Sequence, residues 1–210
     1  MSRFFLFVLL AAALLSAGVF AQSLGNPLGG LDLLKPGASM RASSSDPNWK
    51  NGNGDARPIE VGKTLVVADL EGPGIITHIW NTIASSERGY SRLLTLRIYW
   101  DGEENPSVEA PIGDFFGVGH GIDRAFTSLP VSVTSDGRAR NCYWPMPFRK
   151  SAKITVTNDG TKRTDAFYYY VDWRKLDALP DDDAYFHAQY RQEFPAVSGQ
   201  NYMIADLEGK

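Results

Sequence analysis

Between Ile59 and Val171 the chain alternates apolar and polar residues with a period of two, and no stretch carries a convincing amphipathic helical period. That pattern commits the backbone to strands. Residues 75–83, IITHIWNTI, place Ile75, Thr77, Ile79, Asn81 and Ile83 on one face and His78, Trp80 and Thr82 on the other. In residues 93–100, Leu94, Leu96, Ile98 and Trp100 share a face. Further strand-like runs occupy 64–68, 107–111, 131–133, 142–147, 153–156 and 166–173. Gly72-Pro73-Gly74, Asp101-Gly102 and Asn158-Asp159-Gly160 read as turns. Many short strands separated by turns predict an all-β fold, a β-sandwich of jelly-roll type, over residues 59–178. Runs at 185–190 and 202–207 predict a further set of strands.

The N-terminal part has a different character. Residues 1–21 read as a secretory signal: Arg3 is the charged region, residues 4–15 the apolar stretch, and Val19-Phe20-Ala21 a small-residue cleavage site. A membrane anchor is the competing reading, but the apolar stretch falls short of a ~20-residue span. The expectation is an exported protein, periplasmic or extracellular, with no membrane contact after cleavage. Residues 22–58 then form an N-terminal arm and a polar loop. Residues 41–55, RASSSDPNWKNGNGD, are dense in Ser, Asn, Gly and Asp around Trp49. So long a loop is uncommon in a compact domain unless it is functional or disordered.

Composition removes some functions. The net charge of −3 and the lack of a basic stripe with interleaved aromatics argue against nucleic acid as a partner. Cys142 is the only cysteine, so no internal disulfide is available and packing must supply stability. Its apolar neighbours predict a buried, inert thiol. No HExxH or clustered His/Asp motif occurs, so a metal site is disfavoured and no cofactor is expected. His78 and His187 sit in strand patterns and read as structural residues.

Residues 99–121, YWDGEENPSVEAPIGDFFGVGHG, combine acidic, aromatic and glycine residues in a way that suits a binding site on a β framework. Glycosidic bond hydrolysis needs two carboxylates, roughly 5–5.5 Å apart for retention and about 6.5–9.5 Å for inversion. Glu103 and Glu104 follow a turn and read as solvated, and Glu109 depends on which face its strand buries. Asp114, between Gly113 and Phe115-Phe116, is either a binding group or an acceptor tying down its own loop. His120, in Gly-Val-Gly-His-Gly, is the most exposed histidine by local composition. The five tryptophans, Trp80 among them, divide between core and a possible sugar-stacking platform.

Five blocks carry a resemblance: RASSSDP, EGPGIITHIWNTI, YWDGEENPSVEAPIGDFFGVGHG, NCYWPMPFRKSAKITVTN and YFHAQYR. In this order the chain resembles the domain-of-unknown-function 2961 proteins, classed as glycoside hydrolase family 172, from about residue 31 to 210. The resemblance implies two jelly rolls per subunit, assembly into trimers or larger homo-oligomers, and sites near subunit boundaries. It also implies a carbohydrate substrate with difructose dianhydride, α-fructofuranosyl or arabinofuranosyl linkages. The family's retaining catalytic pair is two glutamates in GEGD-like and GTGTEDYF-like segments, which this sequence does not contain. On that pattern the chain holds a complete first jelly roll and, at 179–210, only the start of a second. The expectation is an inactive fragment with no catalytic residue of its own. Asp114, Phe116, His120, Trp80, and Asp46 and Trp49 of the polar loop are then candidates to line a sugar pocket or an intersubunit wall. A non-catalytic jelly-roll module that binds carbohydrate or assembles with other subunits is the alternative.

Overall fold

A computed structural model describes residues 33–48, 50 and 52–206; the signal segment 1–21 and Trp49 lie outside them. Strands dominate: β1 Ala38–Ser43, β2 Arg57–Ile59, β3 Thr64–Glu71, β4 Gly74–Ser85, β5 Leu94–Trp100 and β6 Val108–Pro111. They are followed by β7 Phe126–Thr127, β8 Val131–Thr134, β9 Ala139–Cys142, β10 Met146–Phe148, β11 Ser151–Asn158, β12 Thr164–Lys175 and β13 Ala188–Gln189. Helical structure among the described residues is limited to the four-residue turns Tyr90–Leu93 and Ile112–Phe115 and a 3-10 turn at Gly119–Gly121.

The strands form two sheets. One runs β1-β12-β4-β9-β8-β7, with β10 also on β4 and β2 on β12; the other runs β13-β6-β5-β11-β3. Inward side chains from both meet in one core, where Ile76, Val171, Ile98, Ile154, Val156 and Phe148 are fully buried. Each such side chain contributes roughly 1.5–3 kcal/mol by leaving water, and their union makes the molecule an all-β sandwich. Strand β5 buries Leu94, Leu96, Ile98 and Trp100 as its alternation predicts.

Strand β4 departs from strict alternation. Asp172 pairs with His78, but the next residue, Trp173, pairs with Ile76, so Thr77 is an extra residue in the ladder. The bulge reverses the phase: Ile76, Ile79, Asn81 and Ile83 face the core, while Ile75 and Thr77 do not share that face. The outward set His78, Trp80 and Thr82 is unaffected.

Three other segments differ from the sequence pattern. Residues 142–147 are not one strand, because the chain leaves β9 at Cys142 and re-enters beside β4 as β10. Pro145, with no N–H to give a ladder, stands in the gap. At the N-terminal side, the sheet starts inside the expected arm: β1 pairs with β12 from Ala38↔Lys175 to Ser43↔Tyr170. An edge strand needs only backbone pairing, so mostly exposed side chains suffice there. Among the described residues beyond 184 only Ala188–Gln189 form a strand, parallel to β6, and residues 202–206 form none.

One charge is buried in the core. Arg140 faces Asn81 across the β9–β4 pair and is fully buried. Asp123 meets it at 2.6 Å and the Tyr90 hydroxyl at 3.2 Å, which ties the 117–124 loop to the sandwich.

Candidate functional site

The outer face of the eight-stranded sheet carries an ordered set of aromatic and polar side chains. Its middle row is Ser43–Tyr170–Trp80–Asn141, set by the registers of β1, β12, β4 and β9. Trp80 stacks on Tyr170 with ring centroids 4.9 Å apart, and the Arg41 guanidinium lies 4.5 Å above the Tyr170 ring. Alternation along β12 brings Tyr168 beside Thr82 and Asp172 beside His78.

A chain of polar contacts crosses the adjacent row. Arg41 Nε donates to Asp172 Oδ1 at 2.5 Å. His78 Nδ1 lies 3.0 Å from Asp172 Oδ2, and its Nε2 lies 3.2 Å from Asn141 Oδ1. Burial works against the charge on Asp172, but the hydrogen bonds from Arg41 and His78 outweigh it and hold the carboxyl below its ordinary range. Tyr143 stacks on the imidazole at 4.7 Å. With both nitrogens engaged and one face covered, His78 is a fixed wall of the platform rather than a free proton donor.

The polar loop closes one end of this face. Ser44 continues the ladder past β1: its N–H donates to Tyr169 O at 3.1 Å, and its Oγ accepts from Tyr169 N at 3.1 Å. Arg57 straps the loop by donating to Gly54 O at 2.7 Å and Ser45 O at 3.2 Å. Asp46 accepts from Asn48 N at 2.8 Å and Gly54 N at 2.9 Å, so its carboxylate shapes the loop. Between loop and platform is an open cavity of about 300 Å³ whose walls include Ser44, Ser45, Asp55, Trp80, Thr82 and Tyr170. The Asp55 carboxylate has no hydrogen-bond partner among the described residues.

Asp114 belongs to a second depression. It sits in the helical turn Ile112–Phe115, with Arg92 Nε 3.3 Å from its Oδ2. Burial pushes its carboxyl above the ordinary value, and the charges of Arg92 and, more weakly, His120 pull the other way. Arg92 also donates to the Tyr190 hydroxyl and, at 3.3 Å, to Gln192 Oε1, pinning the segment after β13. Beside Asp114 is a cavity of about 260 Å³ walled by Phe115, Trp144, Phe186, Gln189 and Tyr190. Trp144 packs on Phe186 at 5.9 Å and remains 45% exposed, leaving ring surface for a ligand.

The sequence candidates therefore divide. Trp80 stands at the platform, Asp46 braces the loop beside it, and Asp114 lies at the Trp144 depression. His120 is exposed and lines a separate hollow with Ile122, Arg124 and Phe126. Phe116 is fully buried and packs edge-on against Phe115, so it supports the Asp114 turn without reaching solvent. No hydrogen bond or ring contact among the described residues joins the Trp80 group to the Asp114 group. Tyr168, Tyr170 and Asp172 escape the sequence reading although the alternation of β12 places them on one face. Trp144 and Arg92 carry no local signal, because their partners come from residues far along the chain.

One expectation about a neighbouring group holds. Cys142 is buried, and burial pushes its thiol up to about 11, which makes it a poor nucleophile. Asp101, another acidic residue of the 99–121 block, accepts at Oδ1 from the backbone N–H groups of Arg149, Lys150 and Ser151. It is a turn anchor. A family model described as GH172 domain-like matches residues 53–169. No curated protein matches the chain.

Proposed function

The chain belongs to the GH172 domain-like family, and on that premise we propose that it is the carbohydrate-binding part of an exported glycoside hydrolase. Its substrates are fructofuranosyl- or arabinofuranosyl-type glycans, and its sugar site is the Trp80 platform closed by the 44–55 loop. The observation that carries this is the half-buried Trp80–Tyr170 stack that lines an open cavity with Ser45, Asp55 and Thr82. An aromatic face takes the C–H side of a sugar ring, and hydroxyls and a partnerless carboxylate take its hydroxyl groups.

Bond cleavage belongs, in this reading, to two glutamates encoded further along and brought in beside this domain. In favour of that is the state of the carboxylates near aromatic surface. Asp114 is met by Arg92, Asp172 by Arg41 and His78, Asp101 by three backbone N–H groups and Asp46 by its own loop. Each of these four faces a donor, and among the described residues Asp55 is a single free carboxylate at the platform, where glycoside hydrolysis needs two carboxyl groups across an open cleft. A homo-oligomer that places a second copy against the platform is part of the same proposal.

Calorimetric titration of the chain with difructose dianhydride and with arabino-oligosaccharides tests the site. We expect saturable binding that weakens about tenfold in Trp80→Ala, in keeping with the loss of a stacking face. Undiminished affinity in that variant would move the site elsewhere. An aryl α-arabinofuranoside assay is the second arm: no turnover is expected, and sustained release of the aryl group refutes the division of labour. The same carboxylate pattern favours a second reading, a purely non-catalytic binding module. The two separate when the coding sequence is read past Lys210 for the paired glutamate segments.

A further inference from the structure

The outer face of the five-stranded sheet, across the core from Trp80, holds a concave groove of about 680 Å³. Its geometry follows from register. On β11, Lys153 lies between Asp69 of β3 and Tyr99 of β5; Thr155 lies next to Arg97; and Thr157 lies between Thr64 and Thr95. A bulge at Val67 in β3 keeps Asp69 and Thr64 on this same outward face. The 101–104 turn, with Asp101 and Gly102 both at positive φ, forms one end and carries Glu103 and Glu104 into the lining. From Ser151 to Thr157 the groove runs about 20 Å along the strand, given the rise per residue.

Part of this lining is braced and part is free. Arg97 donates to Glu109 Oε2 at 3.1 Å and to Thr157 Oγ1 at 3.0 Å, and Thr157 Oγ1 lies 2.9 Å from Thr64 Oγ1. The side chains of Lys153, Asp69, Tyr99 and Glu104 have no hydrogen-bond partner among the described residues. The free groups thus include an ammonium, two carboxylates and a phenol on a floor of fixed hydroxyls.

We propose that this groove is a second carbohydrate-binding surface, separate from the Trp80 platform, which takes an extended neutral oligosaccharide. A polyhydroxyl chain both donates and accepts along its length, as the interleaved carboxylate, ammonium and hydroxyl groups require. Tyr99 supplies the one aromatic face in the groove, enough to receive one sugar ring. Other ligands fit poorly. A protein partner's interface core is depleted in Lys, Glu, Asp and Ser, which make up five of the eleven lining residues here. Phosphate chains meet Asp69, Glu103 and Glu104, and a small apolar ligand finds no Leu, Ile, Val or Met in the lining. The proposal rests on the chain's carbohydrate chemistry but shares no residue with the Trp80 site.

The test is affinity electrophoresis of the protein through gels containing inulin, debranched arabinan or xylan. The variants are Lys153→Ala/Tyr99→Ala, the milder Lys153→Gln, and Trp80→Ala. Both altered groove residues project from the sheet surface, and matching thermal unfolding midpoints exclude misfolding. Retardation by at least one polysaccharide, weakened about tenfold by the double variant and measurably by Lys153→Gln, is the expected result. Retardation weakened by Trp80→Ala but not by the groove variants overturns the second surface and leaves the first standing. Unretarded migration of the unaltered protein in all three gels overturns the second surface too; if titration with the small sugars also fails, both surfaces are lost.

Discussion

Asp123 and Arg140 show how little tolerance a buried charge leaves. The guanidinium is fully buried, and Asp123 is the one carboxylate within ion-pair distance of it among the described residues. Asp123→Ala strands that charge, and we expect a loss of about 3 kcal/mol in urea unfolding, the cost of breaking a buried pair. A loss under about 1 kcal/mol would mean that water reaches Arg140. Asp101 makes a different prediction, about pH. Burial opposes its charge, but the Tyr185 hydroxyl and the N–H groups of residues 149–151 prevail, so its folded pKa lies below its unfolded one. Such a group adds stability above the unfolded value of about 3.9, and the contribution fades as pH falls through the folded value. The stability gap between the natural protein and Asp101→Asn should therefore be widest near neutrality and close in acid. A gap independent of pH would show that charge is not what matters at this turn. Tyr185 answers the same contact from the other side, its phenol pushed up to about 12 by burial and by the Asp101 carboxylate.

Strands were readable because alternation is a local property, and β5 and β12 bury the faces their sequences name. The Thr77 bulge was not readable. Nothing in ITHIW marks an extra residue; the bulge lets Ile76 and Ile79, three positions apart on β4, both face the core opposite Trp173 and Val171, which are two apart on β12. Glycines divide in the same way. Gly102 has open space around its missing Cβ and only its φ of +84° to protect, so Gly102→Ala should cost about 1 kcal/mol. Gly74 has an ordinary φ, but a Cβ there would meet Arg174 O and the Phe148 ring at 2.8 Å. Gly74→Ala should cost more, about 1–3 kcal/mol, from overpacking where β4, β10 and β12 converge. Chemical denaturation of the two variants checks the order, and the reverse ranking contradicts this packing account.

At the scale of the molecule, the two outer faces of the sandwich have distinct characters, one aromatic and one charged and hydroxylated, over a shared apolar core. Residues 191–206 add an exposed stretch in which Phe194 is 95% and Ile204 82% exposed. Apolar surface of that kind drives association. Light scattering at rising concentration should detect self-association that falls in Phe194→Ser/Ile204→Ser. A monodisperse monomer that melts cooperatively counts against it. Sites were less legible than strands at this scale: Asp114 and Trp80 stand out in the sequence, yet they occupy separate surfaces.

Alternation, turn residues and a lone cysteine were enough to specify an all-β sandwich with an inert thiol, because each is set by neighbours a few positions away. The pairing of β1 with β12 and of Asp123 with Arg140, and the choice of Asp101 as the anchor for residues 149–151, depended on chain segments well separated in number. Those outcomes follow from register and from the cost of burying a polar or charged group without a partner. Both are properties of the assembled sheets, and no short window of residues contains them.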